Sequence, residues 1–226
     1  MTPLEHLNWR LDPRKMDTLP PTAPQPASGF PVTAFVLAGG RSSRMGQDKA
    51  ILKLNDTYLI DYPIRVLRQL TNDVRIIGSP NKYAFLGLPV IADWGESKGP
   101  LTGIYTALKT SPTFANLVLA CDIPLMRVEF FQLLLKRAPQ ADAALMRFDD
   151  GFLEPLCSIY STTCLQTIEQ NLQQQEYKIT ELLKRVRVSY ISEAEIVRLG
   201  LSREIFTNVN THEELARLSL RIHARP

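Results

Sequence analysis

Apolar and polar positions follow two rhythms along this chain from residue 32 onward: short continuous hydrophobic runs, and repeats at helical spacing. The run Val32–Leu37, closed by Gly39-Gly40, has the character of a strand buried on both faces. Ile60, Ile64, Leu67 and Leu70 then recur at helical spacing within 59–70, and residues 74–77 return to strand character. A strand over 88–92 precedes a helix over 100–108, where Pro100 suits the first helical turn. Further strands are predicted over 117–120 and 141–146, separated by a helix over Val128–Arg137. The last third is less regular. It carries strand signals at 156–160 and 186–191, helices ending near Gln174 and spanning Ile179–Leu183, and a Thr211/Glu214 capping box opening a helix through Leu215 and Leu218. Strands alternating with helices predict an α/β fold: a mostly parallel, Rossmann-like sheet with helices on both faces, a three-layer α/β/α sandwich.

The first 31 residues break that rhythm. Seven of the 16 prolines, Pro3, Pro13, Pro20, Pro21, Pro24, Pro26 and Pro31, fall there, with little periodicity between them. Proline fixes φ and removes a donor, so residues 1–31 are expected to form an extended, mobile tail ahead of one domain over 32–226. The whole chain of 226 residues fits that count, at about 150 residues per domain. Hydrophobic residues at 45% supply a sizeable core.

Charge narrows the possible partners. Lys and Arg exceed Asp and Glu by 26 to 23, scattered without a run of like sign, which argues against nucleic acid or membrane as a partner. No segment approaches the roughly 18 apolar residues of a membrane span. Cys121, Cys157 and Cys164 lack the paired spacing of a zinc or redox motif, so a reducing, cytoplasmic setting is expected.

Ligands in open α/β sheets bind beyond the carboxyl ends of the strands. After the first strand stands Ala38-Gly39-Gly40-Arg41-Ser42-Ser43-Arg44-Met45-Gly46-Gln47-Asp48-Lys49. After the third comes Asp93, after the fourth Asp122, and near the end Asn208-Val209-Asn210. Glycines let backbone N–H groups approach phosphate, Arg41, Arg44 and Lys49 offer neutralising charge, and the carboxylates offer oxygen ligands. The pattern is neither a P-loop nor a dinucleotide fingerprint, which disfavours ATPases and NAD-dependent dehydrogenases. Structural alternatives stand beside each assignment: Asp122 as the cap of the helix from Val128, Asp93 as a turn residue, Asn208 and Asn210 as turn formers. Glu154-Pro155 and Arg147 lie where a second substrate could dock, and their role is left open.

The stretch Leu37-Ala38-Gly39-Gly40-Arg41-Ser42-Ser43-Arg44-Met45-Gly46-Gln47-Asp48-Lys49-Ala50 closely resembles the signature of the molybdenum cofactor guanylyltransferase (MobA) family. The likeness continues through Asp93, Gly99-Pro100-Leu101-Thr102-Gly103, Cys121-Asp122-Ile123-Pro124 and Asn208-Val209-Asn210-Thr211-His212-Glu213-Glu214-Leu215. It implies a fold of the nucleotide-diphospho-sugar transferase type that transfers GMP from GTP to the phosphate of molybdopterin, with Mg²⁺ as cofactor and release of pyrophosphate. By matching position, Leu37, Ala38 and Gly39 would hold the guanine nucleotide. Lys49 and Arg44 would hold its phosphates, Asp93 the nucleotide, and Asp122 the Mg²⁺. Asn208 and Asn210 would lie beside the pterin substrate or the metal. Cofactor-biosynthesis proteins and apo-molybdoenzymes are implied as further partners. The chain departs from the family where Gly78-Ser79 stands in place of an asparagine seen in several members. A phosphate nucleophile is already ionised at neutral pH and needs alignment and charge neutralisation rather than a histidine base, so the three histidines of the chain are no obstacle. Two rivals remain: a cytidylyl- or uridylyltransferase of the same fold, whose signature tends to read Leu-Ala-Ala-Gly and Pro-Lys, and a non-catalytic chaperone that presents cofactor.

Overall fold

The computed structural model describes residues 29–38, 48–94 and 99–223. The proline-rich tail up to residue 28, and with it most of the expected N-terminal segment, lies outside them, as do Gly39, Arg41 and Arg44. Strand β1 (Val32–Leu37) leads past the glycine loop to a hairpin, β2 (Lys53–Leu54) and β3 (Thr57–Tyr58), and then to α1 (Asp61–Leu67). There follow β4 (Val74–Ile77), α2 (Pro80–Tyr83), β5 (Val90–Ile91), α3 (Pro100–Thr110), β6 (Ala115–Ala120) and α4 (Val128–Arg137). The remainder comprises β7 (Ala143–Arg147), β8 (Leu153–Ser161), α5 (Leu165–Gln173), α6 (Ile179–Leu183), β9 (Val188–Ile191), α7 (Glu193–Arg198) and α8 (His212–His223).

Seven strands form one sheet in the order β5-β4-β1-β6-β8-β7-β9. Pairings from β5 through β6 are parallel, as is β7 with β9, whereas β8 runs antiparallel to both of its neighbours. Every residue of β1 and β6 is buried, Thr33 and Asn116 included, as strands covered on both faces require. Side chains alternate across the strand. Val32, Ala34 and Val36 therefore join α1 and α4 on one face, through Ile64, Leu67, Phe130 and Leu134. Phe35 and Leu37 join α3, α5 and α6 on the other, through Leu101, Ile104, Ile168 and Leu182. These are the three layers that the alternating pattern predicts.

The helix over Val128–Arg137 and that over Ile179–Leu183 fall where the periodicity puts them. Several short elements escape it, and one strand starts earlier than its signal. The β2–β3 hairpin turns on Asn55 and Asp56, both at positive φ, and each of its strands is only two residues long. Helices α2 and α7 are four and six residues long, too short to show a period. Strand β8 begins at Leu153, earlier than the 156–160 signal, because Pro155 interrupts its pattern.

Candidate active site

The chain order explains where a site can form. From β1 the chain moves outward through β4 to β5, then returns to β6 on the other side of β1. The strand order therefore reverses between β1 and β6, and such a switch point is where open α/β sheets bind ligands, beyond the carboxyl ends of the strands. Lys49, one turn beyond the glycine loop, and Asp122, two residues beyond β6, meet there.

Lys49 Nζ donates to Asn210 Oδ1 at 2.6 Å and stands 3.7 Å from Asp122 Oδ2. Each of the two charged side chains keeps about a fifth of its surface exposed, at 20% and 21%. Burial pushes the Asp122 carboxyl above its usual range, while the Lys49 ammonium pulls the other way. The backbone around the pair is tied down. The Val209 amide donates to the Asp122 carbonyl at 2.9 Å, and the Cys121 amide to the Leu37 carbonyl at 3.1 Å. Val209 itself is buried against Leu54, Leu59 and Leu218, so the asparagines on either side of it are exposed at the rim. The Thr211 hydroxyl accepts from the Glu214 amide while the Glu214 carboxylate accepts from the Thr211 and Asn210 amides, the capping box expected there.

The expected residues divide into groups. Lys49, Asp122 and Asn210 come together directly. Asn208 lines a separate cleft with Glu154. Leu37 and Ala38 are buried, and their polar groups are already engaged. The Ala38 amide donates to Ile77, and its carbonyl accepts from the Tyr83 hydroxyl at 2.8 Å. What they leave for a ligand is apolar surface. Asp93 lies against α3, where a Cβ on Gly103 would sit 3.7 Å from its Oδ1 and 3.6 Å from the Leu37 methyls; the glycine lets the helix start come close. The N-cap of α4 is Arg127, which removes the capping role considered for Asp122. The three cysteines are free, and burial raises each thiol, Cys164 up to about 12.

Two residues take roles that the sequence left unassigned or open. Asp48, inside the signature, caps the single turn at Lys49 and accepts from the Tyr83 hydroxyl at 2.8 Å and Lys82 Nζ at 3.0 Å, which fixes the base of the lysine. Glu154 is a buried carboxylic acid, 6% exposed, pushed up to about 7 by burial and by the negative charge of Asp122. The sequence placed Glu154 where a second substrate could dock and left its role open; only the fold brings β8 beside β6.

At that junction the Asp122 carboxylate and the Asn210 amide oxygen are donors of the kind a divalent cation takes. Mg²⁺ takes oxygen ligands and keeps several waters, so one or two carboxylates suffice, and the residues present fit it. Among the described residues no group of three metal-ligating side chains forms.

A cation and a carboxylate poised at the switch point of a mostly parallel sheet define a nucleotide-handling protein of the α/β class. The MobA-like NTP transferase domain matches residues 34–189. The probable molybdenum cofactor guanylyltransferase of Carboxydothermus hydrogenoformans is 33% identical over 83% of this chain and 94% of its own length. That of Pelotomaculum thermopropionicum is 35% identical over 82% and 90% respectively. The crystal structure of molybdopterin-guanine dinucleotide biosynthesis protein A from Archaeoglobus fulgidus covers 86% of this chain and all of its own, with a TM-score of 0.73 at 24% identity, a likeness of fold. The chain belongs to the MobA-like NTP transferase family and is a nucleotidyltransferase.

Proposed function

We propose that the chain transfers GMP from GTP to the phosphate of molybdopterin, releasing pyrophosphate. The observation that carries this reading is the Lys49–Asp122–Asn210 junction beyond β1 and β6, held by a family signature whose relatives carry the name guanylyltransferase. A phosphate oxygen of the acceptor attacks the α-phosphorus of GTP, and the bond from that phosphorus to the pyrophosphate oxygen breaks. Lys49 neutralises negative charge on the triphosphate and thereby reduces the repulsion felt by the incoming anion. Asn210 fixes the ammonium in place by its 2.6 Å hydrogen bond. Asp122 would hold Mg²⁺, which when bound supplies further charge neutralisation at the transferred and leaving phosphates. By matching position in the family, Leu37, Ala38 and Gly39 would hold the guanine nucleotide, Arg44 with Lys49 its phosphates, and Asp93 the nucleotide. The substrates are GTP and molybdopterin, and the setting is the cytoplasm.

Nucleotide competition tests the reading. Pyrophosphate release with molybdopterin is expected from GTP and not from CTP or UTP; a preference for CTP would assign the chain to the cytidylyl branch of the fold. Asp122→Asn should lower turnover by about a hundredfold or more while leaving the folded state intact. Unchanged turnover in that variant would remove Asp122 from the metal role. Lys49→Ala should weaken GTP use by at least about tenfold, measured as kcat/KM.

A further inference from the structure

Beside the Lys49–Asp122 junction, on the β7–β8 side and away from β1, lies a cleft of about 260 Å³ lined by Phe148, Phe152, Glu154, Phe206, Thr207 and Asn208, with Arg203 at its edge. Its volume falls just below the roughly 300–1,000 Å³ of drug-sized ligand sites and suits one ring system rather than a whole nucleotide. We propose that this cleft seats the pterin ring of the acceptor, with the Glu154 carboxylate accepting hydrogen bonds from the ring's adjacent N–H and amino donors. The proposal rests on the transfer reading above and names the acceptor side of the same site.

Three observations converge on it. The first is how β8 is built. Leu145 of β7 pairs with Ser158, but the next residue, Met146, pairs with Glu154, so Pro155, Leu156 and Cys157 are extra residues in β8 relative to β7. Such irregularities re-aim side chains beside active sites. This one is fixed by the Pro155 carbonyl, which accepts from the Ser158 hydroxyl at 2.7 Å and the Tyr160 hydroxyl at 3.0 Å. The second is strand direction. Because β8 is antiparallel to β6, with Leu119 opposite Cys157, its first residues emerge on the rim that carries Asp122. The third is the lining. A carboxylate has about four acceptor positions. The Leu156 amide occupies one on Glu154, and among the described side chains none makes a hydrogen bond or ion pair with it. Phe148 and Phe206 are buried and meet edge to face at 5.3 Å. Phe152 is 54% exposed at the mouth and tilted 38° from Phe148. Arg203 caps the Phe148 ring at 4.2 Å and is held by Asp150 at 2.7 Å, which stiffens the wall.

Guanine presents the same pair of donors as a pterin, so the test must separate the two rings. The probe is 6-hydroxymethylpterin, titrated against the full chain in EDTA by quenching of the pterin's fluorescence, with 6-hydroxymethyllumazine, which bears oxygen in place of the amino group, as its counterpart. Wild type should bind the pterin at least about tenfold more tightly than the lumazine, and Glu154→Gln should erase most of that preference. Phe152→Ala, at an exposed position, should weaken both rings several-fold alike by removing a stacking surface. GTP affinity should stay within about twofold in both variants, less than the cost of one lost hydrogen bond. Equal pterin affinity in wild type and Glu154→Gln would overturn the proposal, as would failure of wild type to bind the pterin. A parallel loss of GTP affinity would overturn it by seating guanine in the cleft. Pterin selectivity that depends on Glu154 in a chain that ignores GTP would uphold the cleft and overturn the transfer reading instead.

Discussion

A methyl group added at Gly78 would lie 2.7 Å from Cε2 of Tyr83, closer than packed carbons approach. Tyr83 has little room to yield, since it is 1% exposed and its hydroxyl bridges the Ala38 carbonyl and the Asp48 carboxylate, each at 2.8 Å. Gly78, one of the Gly78-Ser79 pair that the resemblance sets against an asparagine of several family members, is thus coupled through Tyr83 to Ala38 and Asp48. Gly78→Ala should cost about 1–3 kcal/mol of stability as an overpacking change. Because Asp48 anchors the turn that carries Lys49, the variant should also raise the KM for GTP; chemical denaturation and steady-state kinetics on one preparation would show whether the two effects travel together. The same scale explains what the signature displays and what it conceals. Lys49 and Asp122 are visible as charged residues at strand ends, whereas Asp48 reads as one more polar loop residue until Tyr83 is folded against it.

Among the elements, the far half of the sheet depends on Asp142, just before β7. Its carboxylate accepts from the Arg187 amide at 2.9 Å, from Arg187 Nε and Nη2 at 3.1 Å each, and from the Thr163 hydroxyl at 2.8 Å. One side chain therefore ties the starts of β7 and β9 to the turn after β8. The Arg187 hydrogen bonds hold this carboxyl down at about 2, below its ordinary 3.8. A carboxyl with a depressed folded-state pKa adds stability above its unfolded value and loses it as pH falls through the folded one. Melting temperature should therefore drop between about pH 4 and pH 2, and Asp142→Asn should flatten that limb while lowering stability at neutral pH; parallel acid limbs in the two proteins would refute the assignment. At this scale the long elements were legible in the sequence. The short ones were not, because two to six residues cannot complete a period: the hairpin, α2 and α7 depend on tertiary contacts.

Taken whole, the molecule divides its work across the sheet. The parallel half, β5-β4-β1-β6, carries the glycine loop, Lys49 and Asp93, and the half built on β8, β7 and β9 carries the Glu154 cleft; Asp122 stands between them. The family match begins at residue 34, beyond the proline-rich segment. Removing residues 1–28 should therefore leave kcat and the KM for GTP within about twofold of the full chain. A large loss of turnover on truncation would give the segment a part in the reaction. What the sequence determined by itself is everything set by near neighbours: the buried strands and longer helices, the three-layer class, and the signature from Leu37 to Ala50 with its charges at strand ends. Tertiary structure alone decided which of those residues meet. Lys49 reaches Asn210 across 161 positions, Asn208 lines the other cleft, and Glu154 reaches the Asp122 rim because β8 runs against its neighbours. Periodicity records how each segment buries its own apolar face, but strand order and direction are fixed by how those faces pack on one another.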